Sequence, residues 1–348
     1  MHSVLSAFGL KEETAELKLF GTGLINRTWK VTTPDEQYIL QRVNDKVFQK
    51  PGDIAHNLKL IAAYLKQRHP DYRFVAPVAG NDGSEMIYLE NEGFFRLFPF
   101  VEGSHSVDVV ETPEMAYEAA KQFGQFTRLL AGFNVSELKV TIPDFHNLPL
   151  RYRQFQEAQR STIRERWETS KDLVHELAAH AEIVHHFSRI ISNPQFKVRV
   201  THHDTKISNV LFDKDNKGLC VIDLDTMMPG HFISDVGDMM RTYLSPVGEE
   251  EQDVERIEVR DEFYKAIVMG YLDQMKDELT AKEKDHFFFA GSCMIYMQAL
   301  RFLTDYLNND RYYGARYEEH NLVRARNQTM LLKRFLEKES VLTTCDIL

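Results

Sequence analysis

The chain has 348 residues, with 42 Lys and Arg against 52 Asp and Glu, for a formal net charge of −10. That length suits one large domain or two lobes with separate cores. The acidic balance argues against a nucleic-acid binder, because no basic face dominates. It leaves room for an anionic ligand held by a few focused Arg and Lys side chains. Hydrophobic residues make up 43% and charged residues 27%, an ordinary soluble globular composition. The first residues show no basic segment followed by an apolar core and cleavage site. No apolar stretch is read as reaching the roughly 20 residues of a membrane span. Cys220, Cys293 and Cys345 stand at unrelated spacings. The expectation is a cytoplasmic protein in a reducing compartment, with no disulfide framework and no membrane partner.

In chain order, Leu17 to Phe20 is a short apolar run that ends at Gly21-Thr22-Gly23. A second run, Asn26 to Thr33, leads to a turn at Pro34-Asp35-Glu36, and Tyr38 to Val43 follows as a third. Strand, Gly-rich turn, strand, turn, strand predicts an antiparallel meander. Ile54, Leu58, Ile61 and Leu65 recur at helical spacing. Further strands are predicted at Phe74 to Pro77, Met86 to Leu89 and Phe94 to Phe100. After Val101-Glu102-Gly103 helices dominate. Thr112-Pro113 offers a cap and a Pro at the first helical position, ahead of the stripe Met115, Ala119, Phe123, Phe126 and Leu130. A helix after Ser170 would bury Leu173, Leu177, Ala181 and Val184. Short β-like runs return at Val198 to Thr201, Val210 to Phe212 and Leu219 to Leu224, and the remainder reads as helix through Val323 to Lys338. The class is α+β: a small β-rich lobe with one helix, a connector near residue 100, and a larger helical lobe with a short β insert. The boundaries are drawn at 1–98 and 99–348.

The stretch richest in chemistry is Thr201-His202-His203-Asp204-Thr205-Lys206-Ile207-Ser208-Asn209, followed by Leu219-Cys220-Val221-Ile222-Asp223-Leu224-Asp225. Phosphoryl transfer needs a carboxylate to orient and deprotonate the attacking hydroxyl. It also needs a second carboxylate and an amide oxygen to hold the Mg2+ that neutralises the phosphates. Asp204, Asp223 and Asn209 supply these groups at kinase-like spacing.

These motifs resemble the catalytic and metal motifs of the aminoglycoside phosphotransferase and choline kinase superfamily. Four further segments narrow the resemblance to the N-acetylhexosamine 1-kinases. They are Gly23-Leu24-Ile25-Asn26, Tyr38-Ile39-Leu40-Gln41-Arg42-Val43-Asn44, Ile222-Asp223-Leu224-Asp225-Thr226-Met227-Met228-Pro229-Gly230 and Arg301-Phe302-Leu303-Thr304-Asp305-Tyr306-Leu307. The resemblance runs from about residue 20 to about residue 315. It implies a two-lobed protein-kinase-like fold and phosphorylation of the anomeric hydroxyl of N-acetylglucosamine or N-acetylgalactosamine by ATP with Mg2+. It also implies Asp204 as base, Asn209 and Asp223 as metal ligands, and Asp225 as an addition to the metal shell or a holder of the metal's water. His202 is expected to hydrogen-bond within its loop, and His203 carries no assignment. Gly21, Thr22 and Gly23, with Asn26, would cover the nucleotide phosphates, since only Gly lets backbone amides come so close. Arg96, Arg301 and Tyr312 join Asp204 as candidate acceptor contacts: Arg donors and a phenolic edge suit sugar hydroxyls and an N-acetyl carbonyl. Asp235 is read as a brace for the catalytic loop.

The chain departs from the general kinase pattern in two places. The third strand has no lysine for the phosphates. Its Gln41 and Arg42 face opposite ways, with charge favouring Arg42 and register favouring Gln41. The helix at 54–65 lacks the glutamate that pairs with that lysine, and Asp53 and His56 are the nearest polar residues. Other readings stay open. Val221-Ile222-Asp223-Leu224-Asp225 also resembles the first motif of haloacid-dehalogenase phosphatases, and a pseudokinase would tolerate the missing lysine. A kinase of the same fold could instead take an aminoglycoside, choline, homoserine or another sugar. Arg301 and Arg311 favour a neutral acceptor over a cationic one, while Asp305 and Asp310 lie close by in sequence and weigh the other way.

Overall fold

The computed structural model describes residues 1–21 and 25–344. Its first half is built on a five-stranded antiparallel sheet in the order β1-β2-β3-β5-β4. The strands are β1 (Glu16–Leu19), β2 (Arg27–Thr32), β3 (Gln37–Val43), β4 (Ile87–Leu89) and β5 (Gly93–Pro99). The helices α1 (His2–Ala7) and α2 (Pro51–Arg68) complete this lobe. Alternation along β2, β3 and β5 sends Trp29, Val31, Leu40, Phe95 and Leu97 into one small core, where Val4, Leu5 and Phe8 of α1 cover them. The opposite face of β3 and β5 pairs Gln41 with Arg96, and this face looks toward the second lobe.

The larger lobe holds α3 (Pro113–Leu129), α4 (Leu148–Ser161), α5 (Arg164–Ala179), α6 (Glu182–Ile191), α7 (Phe232–Tyr243), α8 (Asp261–Met275), α9 (Ala281–Lys284), α10 (Phe287–Leu307), α11 (His320–Glu337) and α12 (Glu339–Thr343). Two small antiparallel strand pairs are set into it: β6 (Arg199–Thr201) with β9 (Met228–Gly230), and β7 (Val210–Phe212) with β8 (Gly218–Val221). Thr112 caps α3 by accepting from the Met115 amide at 3.2 Å, with Pro113 at the first turn. Gly270 lets α8 approach α3: a Cβ there would stand 2.3 Å from the Tyr117 carbonyl oxygen. This small sheet lobe joined to a helical lobe is the two-lobed, protein-kinase-like α+β architecture expected.

Three details differ from the sequence reading. Residues 74–77 form no strand, and only a single bridge, Val78 with Leu97, ties that segment to the sheet. The helix expected after Ser170 is two helices, α5 beginning earlier and α6 following a break at His180. The sequence pattern does not mark the break because only His180 leaves helical angles, Ala181 being right-handed helical again. The third detail is α10, whose 21 residues are long and apolar enough to cross a membrane by length and composition. Its most apolar window is 78% buried inside the protein, against α4, α7 and α11. Cys220 and Cys293 are buried free thiols, and Cys345 lies outside the described residues.

Candidate active site

The segment 202–209 runs from β6 to β7 and is held from below by α7. Asp235, in the first turn of α7, accepts the backbone N–H of His202 at 3.1 Å and of His203 at 2.7 Å. Asp238, one turn on, accepts the Thr205 N–H at 2.9 Å and is itself paired with Arg241 at 2.8 Å. Thr205 Oγ1 donates to the Asp235 carbonyl and Tyr243 OH donates to the Thr205 carbonyl. All are buried, those to the Asp235 and Asp238 carboxylates are stronger than a neutral pair, and together they fix the loop before any ligand arrives. His202 is buried with Nε2 2.9 Å from the Ile222 carbonyl. A carbonyl can only accept, so Nε2 carries the proton and Nδ1 is left to accept the Asp204 N–H at 3.3 Å. This is the within-loop role expected of His202.

Asp204 stands at the top of this loop with its side chain 26% exposed, and Lys206 Nζ lies 3.0 Å from its Oδ2. Burial alone would raise the Asp204 carboxyl. The Lys206 ammonium outweighs that and holds it below the usual carboxylate range. Asn209 is buried and gives its Nδ2 to the Asp204 carbonyl at 2.8 Å, which leaves its amide oxygen as the acceptor available to a cation. Asp223 follows β8 with left-handed backbone, φ 60° and ψ 58°, a conformation costly for a residue with a Cβ. Withdrawal from water at the floor of the cleft, then the neighbouring Asp225 and Asp204 carboxylates, push the Asp223 carboxyl up to about 7. Because that side chain still opens to solvent, screening tempers the shift. Among the described residues no three His, Cys, Asp or Glu side chains are gathered as a closed metal cage. One open carboxylate and one amide oxygen fit Mg2+, a hard cation that keeps several waters and takes further oxygens from phosphate.

Asp225 is placed differently from expectation. It is buried, its Oδ1 is in an ion pair with Arg96, and its Oδ2 accepts from Asn26 Nδ2 at 2.7 Å. Each of its oxygens thus holds a partner from the sheet lobe, so it ties the lobes together. Arg96, expected near the acceptor, is 1% exposed and lies between Asp225 and Gln41, donating to Gln41 Oε1 at 3.0 and 2.8 Å. Asn26 accepts the Asn44 N–H at 3.0 Å through its own oxygen. Of the two strand residues, Gln41 shares the face of Arg96, while Arg42 points to the other side and donates to the Glu92 carbonyl at 2.6 Å. Gly21 has φ 77°, a value that favours glycine. Thr22 and Gly23, with Leu24, lie outside the described residues.

On the opposite side of Asp204 a polar and aromatic wall runs outward. His203, buried and at φ 68°, sets Nδ1 2.8 Å from Ser234 Oγ and 3.3 Å from His146 Nδ1. Gly230 makes room for its ring, since a Cβ there would come within 2.5 Å of it. Burial holds both imidazoles neutral: His203 is pushed down to about 3, and His146, which also feels His203 and Arg301, well below its ordinary value. His146 stacks on Phe145 with ring centroids 4.3 Å apart, and the Arg301 guanidinium lies 5.4 Å from the Phe145 ring. Arg301 also reaches Tyr312 OH at 3.4 Å. The bend that brings these two together is where Asn308-Asn309-Asp310 placed it: α10 ends at Leu307, and Asn309 and Asp310 have φ of 63° and 55°. Asp305 is spent on the Tyr312 and Tyr313 amides at 2.7 and 2.8 Å, and Asp310 on Arg166.

A model of the phosphotransferase enzyme family matches residues 16–279. The chain belongs to this family. Solved structures share the fold at low identity. An aminoglycoside phosphotransferase from Alicyclobacillus acidocaldarius is 14% identical, with TM-score 0.64 over 97% of this chain and 96% of that one. Amicoumacin kinase hAmiN, in complex with AMP-PNP, Ca2+ and Ami, is 12% identical, with TM-score 0.63 over 95% and 92%. Choline kinase from Cryptosporidium parvum is 16% identical, with TM-score 0.58 over 97% and 92%. The protein is therefore a phosphotransferase of the small-molecule kinase fold. The phosphatase reading falls with this, because β8, which leads into Asp223, pairs only antiparallel with β7 in a two-stranded sheet.

Sequence reasoning about this phosphotransferase missed four residues. Asn57 of α2 is buried and donates to the carbonyls of Lys139 and Met227 at 2.9 and 3.0 Å. It therefore links the helix directly to the loop after Asp225, without a glutamate; Asp53 is not in that contact and His56 turns to the Glu137 carbonyl. An amide on an otherwise apolar helix stripe was the available signal. His146 and Ser234 gave no local signal, since their partners come from other elements. Lys206 stood inside the most telling motif and was passed over.

Proposed function

We propose that this phosphotransferase transfers the γ-phosphoryl of ATP to the anomeric hydroxyl of an N-acetylhexosamine, N-acetylglucosamine or N-acetylgalactosamine, in the cytoplasm. Residues 1–98 serve the nucleotide and 99–348 the chemistry and the acceptor. The observation that carries the acceptor class is the wall from His203 to Tyr312. It offers Arg301, neutral imidazoles and phenolic hydroxyls, and the nearby Asp305 and Asp310 are already bound elsewhere. A cationic aminoglycoside or choline would meet the Arg301 guanidinium there while Asp305 and Asp310 are engaged elsewhere, whereas hydroxyls and an acetamide carbonyl find donors. The resemblance of Leu224 to Gly230 and of the Arg301 segment to N-acetylhexosamine 1-kinases supports the same reading.

In this mechanism Asp204 accepts the proton of the acceptor hydroxyl as the new oxygen–phosphorus bond forms. The bond to the β,γ-bridging oxygen breaks, and ADP leaves with the electron pair. Asp223 and the Asn209 amide oxygen would hold Mg2+, which when bound neutralises phosphate charge. Rigid bracing of 202–209 by Asp235 and Asp238 keeps Asp204 in place, so little reorganisation accompanies transfer. The test is an ATP-consumption screen over N-acetylhexosamines, hexoses, homoserine, choline and aminoglycosides, with the product read by phosphorus NMR. A sugar 1-phosphate from an N-acetylhexosamine is expected. Much faster turnover of choline or an aminoglycoside would overturn the acceptor assignment and leave the phosphotransferase standing.

A further inference from the structure

A site that gathers a triphosphate beside three carboxylates needs a cation of its own besides the metal. The sheet lobe does not supply one in its usual place. Gln41 is uncharged and turns its oxygen to Arg96. Arg96 is buried, with its charge matched by Asp225, and Arg42 is on the far face with Glu92. We propose that Lys206 is the phosphate-gripping cation of this enzyme, contacting the γ-phosphoryl group from the catalytic loop itself. The inference rests on the kinase reading above and deepens it.

Three observations carry it. The first is position. An in-line transfer puts the phosphorus about 3 Å from the attacking oxygen, and that oxygen must touch Asp204 to lose its proton. Lys206 Nζ lies 3.0 Å from Asp204 Oδ2, so it stands beside the path of the transferring group. The second is spare capacity. An ammonium has three donors, Asp204 takes one, and the Lys206 side chain is 43% exposed. The third is anchorage. Thr205, next to it, is held through its N–H by Asp238 and through its carbonyl by Tyr243, and the Lys206 carbonyl accepts the Asn209 N–H at 3.0 Å. Only the flexible side chain has to follow the phosphate. The neighbouring Asp204 and Asp223 charges keep the amine protonated against burial. This placement also accounts for α2: with no strand lysine to hold, the helix needs no glutamate, and Asn57 is free to brace Met227 instead.

The test is equilibrium titration with Mg2+ and either ADP or AMP-PNP, on wild type, Lys206→Met and Lys206→Arg, alongside steady-state kinetics. Lys206→Met is expected to lose roughly 10- to 150-fold in AMP-PNP affinity, the range for a charged hydrogen bond. Its ADP affinity and acceptor KM should move little, and Lys206→Arg should recover most of the AMP-PNP binding. Equal loss for ADP and AMP-PNP would make Lys206 a structural residue and overturn the proposal. So would an unchanged preference for AMP-PNP in the Met variant. If wild type binds neither nucleotide and consumes no ATP with any hydroxyl acceptor, the kinase reading itself fails, and the proposal with it. Wild-type turnover combined with an unaffected Met variant sinks the lysine assignment alone.

Discussion

At the scale of single residues, the site divides labour between groups that touch ligands and groups that hold them. Asp204 is the one carboxylate at the loop's top that is both partly exposed and matched by a lysine. Asp204→Asn keeps the shape of the side chain and removes the base. Turnover should fall by at least about 10²–10⁴-fold, with AMP-PNP binding retained; turnover near that of wild type would remove Asp204 from its role. Arg301 sits over the Phe145, Tyr312 and Tyr313 rings and reaches Tyr312 OH. Truncating it to alanine should raise the acceptor KM by roughly 10- to 150-fold, the worth of a charged hydrogen bond, and leave the ATP KM nearly unchanged. Normal acceptor binding in that variant would take Arg301 out of the site. Of the proposed catalytic residues, those within one loop were legible from spacing. Lys206 was equally visible but had no assigned task until the competing cations were placed.

At the scale of elements, the catalytic loop is positioned by its neighbours more than by its own sequence. β6, which delivers His202, is pinned through Arg199 to Glu283 at the capping box of α9, with bonds of 2.6 and 2.8 Å; Glu283 has no solvent exposure. Burial would raise the Glu283 carboxyl, but the bonds from Arg199 and from the Thr280 and Lys197 amides hold it below its ordinary value. A depressed folded value means the stabilisation is complete above the unfolded value of about 4.3. It is lost as pH falls through the folded one. Wild type should therefore lose urea resistance progressively below about pH 4.5. Glu283→Gln, which leaves Arg199 without a counter-charge, should cost about 3 kcal/mol at neutral pH. The variant should also show a flatter acid profile. Identical midpoints for the two proteins across pH 3–7 would remove the pair as an anchor. The element pattern was largely readable. Strands β1 to β3 alternate cleanly, and the caps of α3 are local. The break between α5 and α6 was not, because it departs from helical angles at His180 alone and is back in them by Ala181.

At the scale of the whole molecule, the lobes meet through the apolar face of α2, whose Ile54, Leu58, Ile61 and Leu65 join the core of the helical lobe, and through a set of buried polar pairs. Arg96 and Asn26 come from the sheet lobe to Asp225, and Asn57 reaches Met227. Between them runs a short connector. Phe100 N–H is still bound to the Gln37 carbonyl, while His105 exchanges both backbone bonds with Phe212 of the other lobe. Only residues 101–104 lie between these anchors, with Gly103 at φ 71°. That construction favours hinge motion about 97–103. Small-angle scattering with AMP-PNP, Mg2+ and acceptor should show a more compact particle than protein alone. Superimposable curves would argue against closure.

The sequence by itself determined the chemistry-bearing loop, the two-lobed class and most strand and helix positions. Those features depend on neighbours a few residues away, where spacing dictates geometry. Only the tertiary structure decided which strand residue faces the cleft and that Asp225 and Arg96 bind each other. It alone showed that Asp305 and Asp310 are consumed in holding a bend, and that the wall beside Asp204 includes His146 and Ser234. Each of those outcomes is a pairing of groups far apart in the chain, 199 residues for Asn26 with Asp225 and 170 for Asn57 with Met227. A charge or donor read from sequence declares what it can bind, but its partner is set by packing, because a buried group must take whichever complement the fold brings within reach.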